Sequence, residues 1–136
     1  MSAMKLRLRD DSVRLRLTRS EVQAVAERRP VRGVVRFGSG RFSYVLESTN
    51  AVERISATFA SGSNEATITV RVPHALAKTW AEGDEVGMEG SVSIGPGQGE
   101  LAILVEKDFA CLTQRGEDES DMYPHPAAAK RPNGAC

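Results

Sequence analysis

Apolar and charged residues alternate from the first few positions of the chain. In MKLRLRD and SVRLRLT every second residue is apolar, so Leu6 and Leu8, then Val13, Leu15 and Leu17, fall on one face of two short strands. Lys5, Arg7, Arg9, Arg14 and Arg16 fall on the other. Asp10, Asp11 and Ser12 supply turn-forming side chains between the two runs, which predicts a β-hairpin with one apolar and one cationic side.

The period then changes. LTRSEVQAVAERRP carries Val22, Val25 and Ala26 on one helical stripe, and Thr18 with Glu21, or Ser20 with Gln23, has capping-box spacing. Pro30 is the expected stop, and Arg28 and Arg29 stand at the C-terminal end, where the helix dipole favours cations. Strand periodicity returns in VRGVVRF and RFSYVLES, joined through Gly38, Ser39 and Gly40, and again in RISATFA and ATITVRV around Ser61 to Asn64. VPHALAKTWAEGD predicts a second short helix, with Pro73 in its first turn, Leu76 and Trp80 one turn apart, and Gly83 as its stop. A fourth hairpin, EVGMEGSVSI and ELAILVEKDF, turns on Gly95 to Gly99. Leu101 to Val105 is apolar on both faces, as a central strand would be.

The expected fold is therefore α+β: about eight mainly antiparallel strands in serial hairpins, forming a curved sheet or barrel, with two short helices. No repeat is visible along the chain. Beyond Leu112 the hydrophobic period disappears, and AAAKRPNGAC has the composition of a disordered tail.

Composition narrows this only slightly. With 136 residues the chain is sized for one domain, and 40% hydrophobic with 26% charged residues is enough apolar material for one core. Basic and acidic residues both number 18, so no net field steers a polyanion. Their placement is uneven. Residues 1–36 hold ten cations against four carboxylates, and residues 106–123 hold six carboxylates against two cations. No run is long enough for a membrane span, and the N-terminus breaks every apolar stretch with charge, so a cytoplasmic protein that does not engage a membrane is expected. The two cysteines, Cys111 and Cys136, do not make a disulfide framework.

Three readings of the cationic strand face stay open. It is a solvated face whose charges discourage edge pairing; or it binds phosphate or nucleic acid through the guanidinium fork; or it pairs with the acidic C-terminal strip. Arg36 is grouped with Lys5, Arg7, Arg9, Arg14 and Arg16 as a candidate anion-binding set, and Arg32, Arg41, Arg54 and Arg71 could extend it. The strip RGEDESDMYPHP brings Glu117, Asp118, Glu119 and Asp121 together with Tyr123 and two prolines. Its acids lack the spacing of a calcium loop, and Cys111, His74 and His125 lack that of a zinc site. No metal or other cofactor is expected. Neither Cys111 nor Ser120 has a base beside it in sequence, so no catalytic residue is assigned.

Facing into a barrel, the Arg-rich strands would be similar to the triphosphate tunnel enzymes, but the glutamates that open those chains are absent here, and the metal they would hold is left without ligands. ITVRVPHALAKTWAEGDEVGMEG resembles the strand, Pro, helix, Gly-Asp, strand pattern of AbrB-type swapped-hairpin transcription factors, over about a sixth of the chain and with a shorter Pro to Gly-Asp interval. More extensively, MKLRLRDDSVRLRLTRSEV, VPHALAKTWAEGDEVGME and LAILVEKDFACLTQRGEDESDMYPHP together resemble a family of small bacterial proteins of unknown function, over residues 4 to 126. That resemblance implies a bacterial cytosolic protein with one domain over residues 1–126 and a disordered tail over 127–136. It carries over no activity, ligand or catalytic residue.

The expected function is a non-enzymatic binding or interaction protein. The alternative is a protein that binds a phosphate ligand (nucleotide, polyphosphate or nucleic acid) or a divalent-metal-dependent enzyme using the Arg face. A partner protein or self-association fits the first reading; nucleic acid is the less favoured partner.

Overall fold

The computed structural model describes residues 4–109. All four expected hairpins and both helices form within them: β1 (Lys5–Arg9), β2 (Ser12–Leu17), α1 (Arg19–Ala26), β3 (Val31–Phe37), β4 (Gly40–Thr49), β5 (Ser56–Ser61), β6 (Glu65–Pro73), α2 (His74–Glu82), β7 (Gly87–Gly95) and β8 (Gly99–Lys107). The fold is α+β. Its strands divide into two four-stranded sheets, β1-β2-β8-β7 and β3-β4-β6-β5, and among the described residues no barrel closes.

The order of the strands was not expected. Each sheet joins two antiparallel hairpins through a parallel pair, β2 beside β8 in the first and β4 beside β6 in the second. The described residues thus consist of two equivalent halves, β1-β2-α1-β3-β4 and β5-β6-α2-β7-β8, each giving one hairpin to each sheet. The repeat lies in topology and in the character of core positions. Leu15 corresponds to Val70, Val25 to Trp80 and Met4 to Ile55, and all six are buried. Burial preserves apolarity at these places but not side-chain identity, which is why no repeat shows in the sequence.

Side chains from both sheets and both helices form one core. The alternation in β2 buries Val13, Leu15 and Leu17, each worth about 1.5–3 kcal/mol on removal from water. Leu8 shares their phase but lies on the sheet's outermost strand near the hairpin tip, and stays 54% exposed. The helices pack on each other, and their buried apolar residues are Val22 and Val25 in α1 and Ala77 and Trp80 in α2. Leu76, expected to share the buried face with Trp80, is 39% exposed, and Ala77 takes the inner position.

The helix ends are also sharper than the sequence implies. At the start of α1 the Glu21 carboxylate accepts the Thr18 N–H at 2.9 Å, and its other oxygen accepts the Met4 N–H at 2.9 Å. One side chain therefore caps the helix and anchors the chain just before β1. The helix stops at Ala26, ahead of Pro30. Arg28 takes a left-handed φ of 63°, and the N–H groups of Arg28 and Arg29 return to the carbonyls of Val25 and Ala24, a Schellman-type ending without glycine. In α2 Pro73 is the N-cap, one position before the expected first turn, and Trp80 donates its indole N–H to the Val86 carbonyl at 3.0 Å.

Gly33 has a separate role. The ring of Tyr44, on the neighbouring strand, lies across it to donate its hydroxyl to the Met4 carbonyl at 2.9 Å, and any Cβ at Gly33 would overlap that ring. This contact brings the β3 edge of one sheet to the start of the other.

A candidate interaction surface on the first sheet

Because the side chains of β1 and β2 alternate, their polar positions share the outer face of the first sheet. The register makes that face a grid. Lys5 stands opposite Arg16, which stands beside Glu106; Arg7 stands opposite Arg14, beside Leu104; Arg9 stands opposite Ser12, beside Ala102. Five of the six sequence-predicted cations are thus brought together. Like charges directly opposite on paired strands repel, typically at a cost of about 0.2–1 kcal/mol a pair.

Two carboxylates enter this grid. Glu106 accepts the Arg14 Nε–H at 2.6 Å and the Arg16 Nε–H at 3.2 Å through the same oxygen. Asp108, two residues on, pairs with Lys5 at 3.0 Å. Partial burial opposes ionisation of Glu106, but the hydrogen bonds from Arg14 and Arg16, reinforced by their charge, outweigh it and hold its pKa below the ordinary 4.5. Among the described residues the grid thus holds five cations, with these two carboxylates paired to three of them. Across the sheet Glu89, on β7, is exposed beside Leu104. Glu106 and Asp108 were not recognisable from sequence, because the parallel β2–β8 pairing that delivers them joins segments about ninety residues apart.

The second sheet tests how many of these charges the fold requires. Arg71 there corresponds to Arg16 and Glu47 to Glu106, and they form the same ion pair, at 2.8 Å, across the β4–β6 seam. The other cations have no counterparts. Ser56, Thr58 and Ala60 stand where the first sheet has Lys5, Arg7 and Arg9, and Thr69 stands where it has Arg14. One Arg–Glu pair for each parallel seam belongs to the architecture. The remaining cations are particular to the first sheet.

Arg36 is placed elsewhere. It sits on β3 opposite Arg41, which pairs with Glu65 at 2.8 Å, and both arginines border an open cleft of about 740 Å³ between the tips of the second sheet's hairpins. Arg32 is exposed on the same strand. Arg54 lines another open cleft, of about 720 Å³, beside Leu76 and Glu89. Neither of these two clefts is lined by Lys5, Arg7, Arg9, Arg14 or Arg16.

Other candidate chemistry is sparse. His74 Nδ1 lies 3.3 Å from the Ser48 hydroxyl, which donates to the Val25 carbonyl, so this imidazole has a structural neighbour between α1 and α2. Among the described residues no three of His, Cys, Asp and Glu converge, and no helix is long and apolar enough to cross a membrane. The strip Glu117, Asp118, Glu119, Asp121 and Tyr123 lies outside the described residues, as do Cys111, His125 and the boundary expected after Pro126.

A family model matches residues 4–127, from just before β1 through the acidic strip. The chain belongs to the family of unknown function DUF7009. The match is continuous over both halves of the duplicated fold and runs beyond β8, so the family pattern includes the acidic strip as well as the cationic hairpin. No curated protein and no solved structure matches the chain.

Proposed function

We propose that this protein is a non-enzymatic interaction module of the cytoplasm whose first-sheet strip recognises an extended acidic segment of a protein. The observation that carries this is the internal comparison: Lys5, Arg7, Arg9 and Arg14 are absent from the equivalent positions of a sheet built on the same plan. A strand face that needed only solubility is already satisfied by the Ser, Thr and Ala of the second sheet.

The shape of the strip favours a polypeptide. Small phosphorylated ligands are held in concave sites that bury most of their surface, and these five cations line neither cleft. Single-stranded nucleic acid calls for aromatic platforms, and among the described residues no ring shares the grid with the cations. Two adjacent strands bearing cations at alternate positions match a chain of carboxylates lying along them, with repeats of about 7 Å along each strand.

Hexaglutamate, titrated into the full-length protein at low ionic strength and followed by backbone amide shifts, should perturb Lys5–Arg9 and Arg14–Arg16. The perturbation should fade at high salt and weaken severalfold in Arg7→Gln/Arg9→Gln, but not in Arg41→Gln. Absence of any shift in β1 and β2 at millimolar peptide, both in the wild type and with Glu117, Asp118, Glu119 and Asp121 neutralised to their amides, would end this reading.

A further inference from the structure

The chain carries its own acidic segment, and it leaves the described domain at the edge of the cationic strip. After β8 the Asp108 N–H donates to the Leu17 carbonyl at 2.8 Å and its carboxylate pairs with Lys5. Phe109 comes next, 61% exposed. Glu106 and Asp108 are thus the first acids of a run that continues in sequence as Glu117, Asp118, Glu119 and Asp121. Two of that run already sit on the face.

Distance is no obstacle. Residues 110–116 span up to about 25 Å when extended, whereas Lys5 to Arg9 covers about 13 Å. Attachment to the same chain gives the acids an effective concentration of order millimolar at the strip, well above what a free partner would reach.

We infer that Glu117–Asp121 is a cis occupant of the first-sheet strip, which a partner's acidic segment must displace. This rests on the strip being the interaction surface proposed above, and it adds a regulation: affinity for a partner is set by competition with the chain's own carboxylates. The occupant is this chain's segment and not a second copy's, because the exit point at Asp108 and the short reach favour the intramolecular contact.

The test compares ¹⁵N-labelled full-length protein with the variant Glu117→Gln/Asp118→Asn/Glu119→Gln/Asp121→Asn at low salt. Neutralisation should shift the amides of Lys5–Arg9 and Arg14–Arg16, should leave those of the equivalent strand β5 in place, and should tighten hexaglutamate binding at least tenfold. Raising salt in the wild type should reproduce the shifts. Unchanged β1 and β2 amides would overturn the inference, whatever hexaglutamate does. A wild-type spectrum that changes on dilution would also overturn it, by showing occupation by a second copy. Shifts in β1 and β2 with no hexaglutamate binding to either form would uphold the cis contact while removing the interaction reading on which its regulatory meaning depends.

Discussion

Glu106 does more than its sequence context suggests. A single carboxylate oxygen receives hydrogen bonds from two arginines on a neighbouring strand, and the side chain is only 15% exposed. Replacing it with Gln leaves two guanidinium groups facing each other without a counter-charge, and should cost about 1–3 kcal/mol at neutral pH. The dependence on pH has a definite sign. The folded-state pKa is lowered, so the stabilisation is fully present above the unfolded-state value and is lost as pH falls through the lower folded value. In thermal melts from pH 7 down to pH 3, the gap between wild type and Glu106→Gln should stay constant above about pH 5 and narrow below about pH 4. A gap that persists undiminished at pH 3 would show that side-chain shape, not charge, accounts for the difference.

At the level of elements, Glu21 links a helix cap to a strand start. Its two oxygens hold the N–H groups of Thr18 and Met4, so Glu21→Ala should cost about 1–3 kcal/mol, more than the loss of an ordinary cap. Hydrogen exchange should quicken at Met4–Leu6 as well as in the first turn of α1. If only the helix responds, the link to β1 carries no energy. The capping spacing of Thr18 and Glu21 is legible in sequence, as are all four hairpins, because period-two patterns and glycine- or Asp-rich turns are local signals. The reach of Glu21 to Met4 is not. Nor is the early end of α1 at Ala26, since the left-handed turn that Arg28 makes just beyond it carries none of the usual composition. The candidate strip was half visible in the same way: alternation places Lys5, Arg7, Arg9, Arg14 and Arg16 on one face, whereas the neighbours Glu106 and Asp108 arrive by a long-range pairing.

For the whole molecule, the duplication escapes sequence inspection because it keeps only apolarity at matching positions, yet it ties the two halves together mechanically. Neither half can form a sheet alone, because each sheet joins a hairpin from residues before the β4–β5 loop to one from residues after it. Fragments cut in that loop, 1–52 and 53–136, should each lack fixed tertiary packing, and should recover native Trp80 fluorescence when mixed, since Trp80 is fully buried in a core shared by both. Independent folding of either fragment would contradict the interlocked arrangement. The intact chain should melt in one transition, with both sheets losing structure together.

The parallel seam between β2 and β8 also governs how the protein is made. β2 leaves the ribosome about ninety residues before its neighbour β8, the last strand of the described fold. Throughout most of synthesis the first hairpin therefore has an open edge and an uncovered apolar face that includes Leu8, Val13 and Leu15, a state in which strands pair with the wrong chain. Five positive charges on the other face repel a second nascent hairpin of the same kind. The cations on the outer face of the first sheet thus also act against pairing of the unfinished chain with its neighbours.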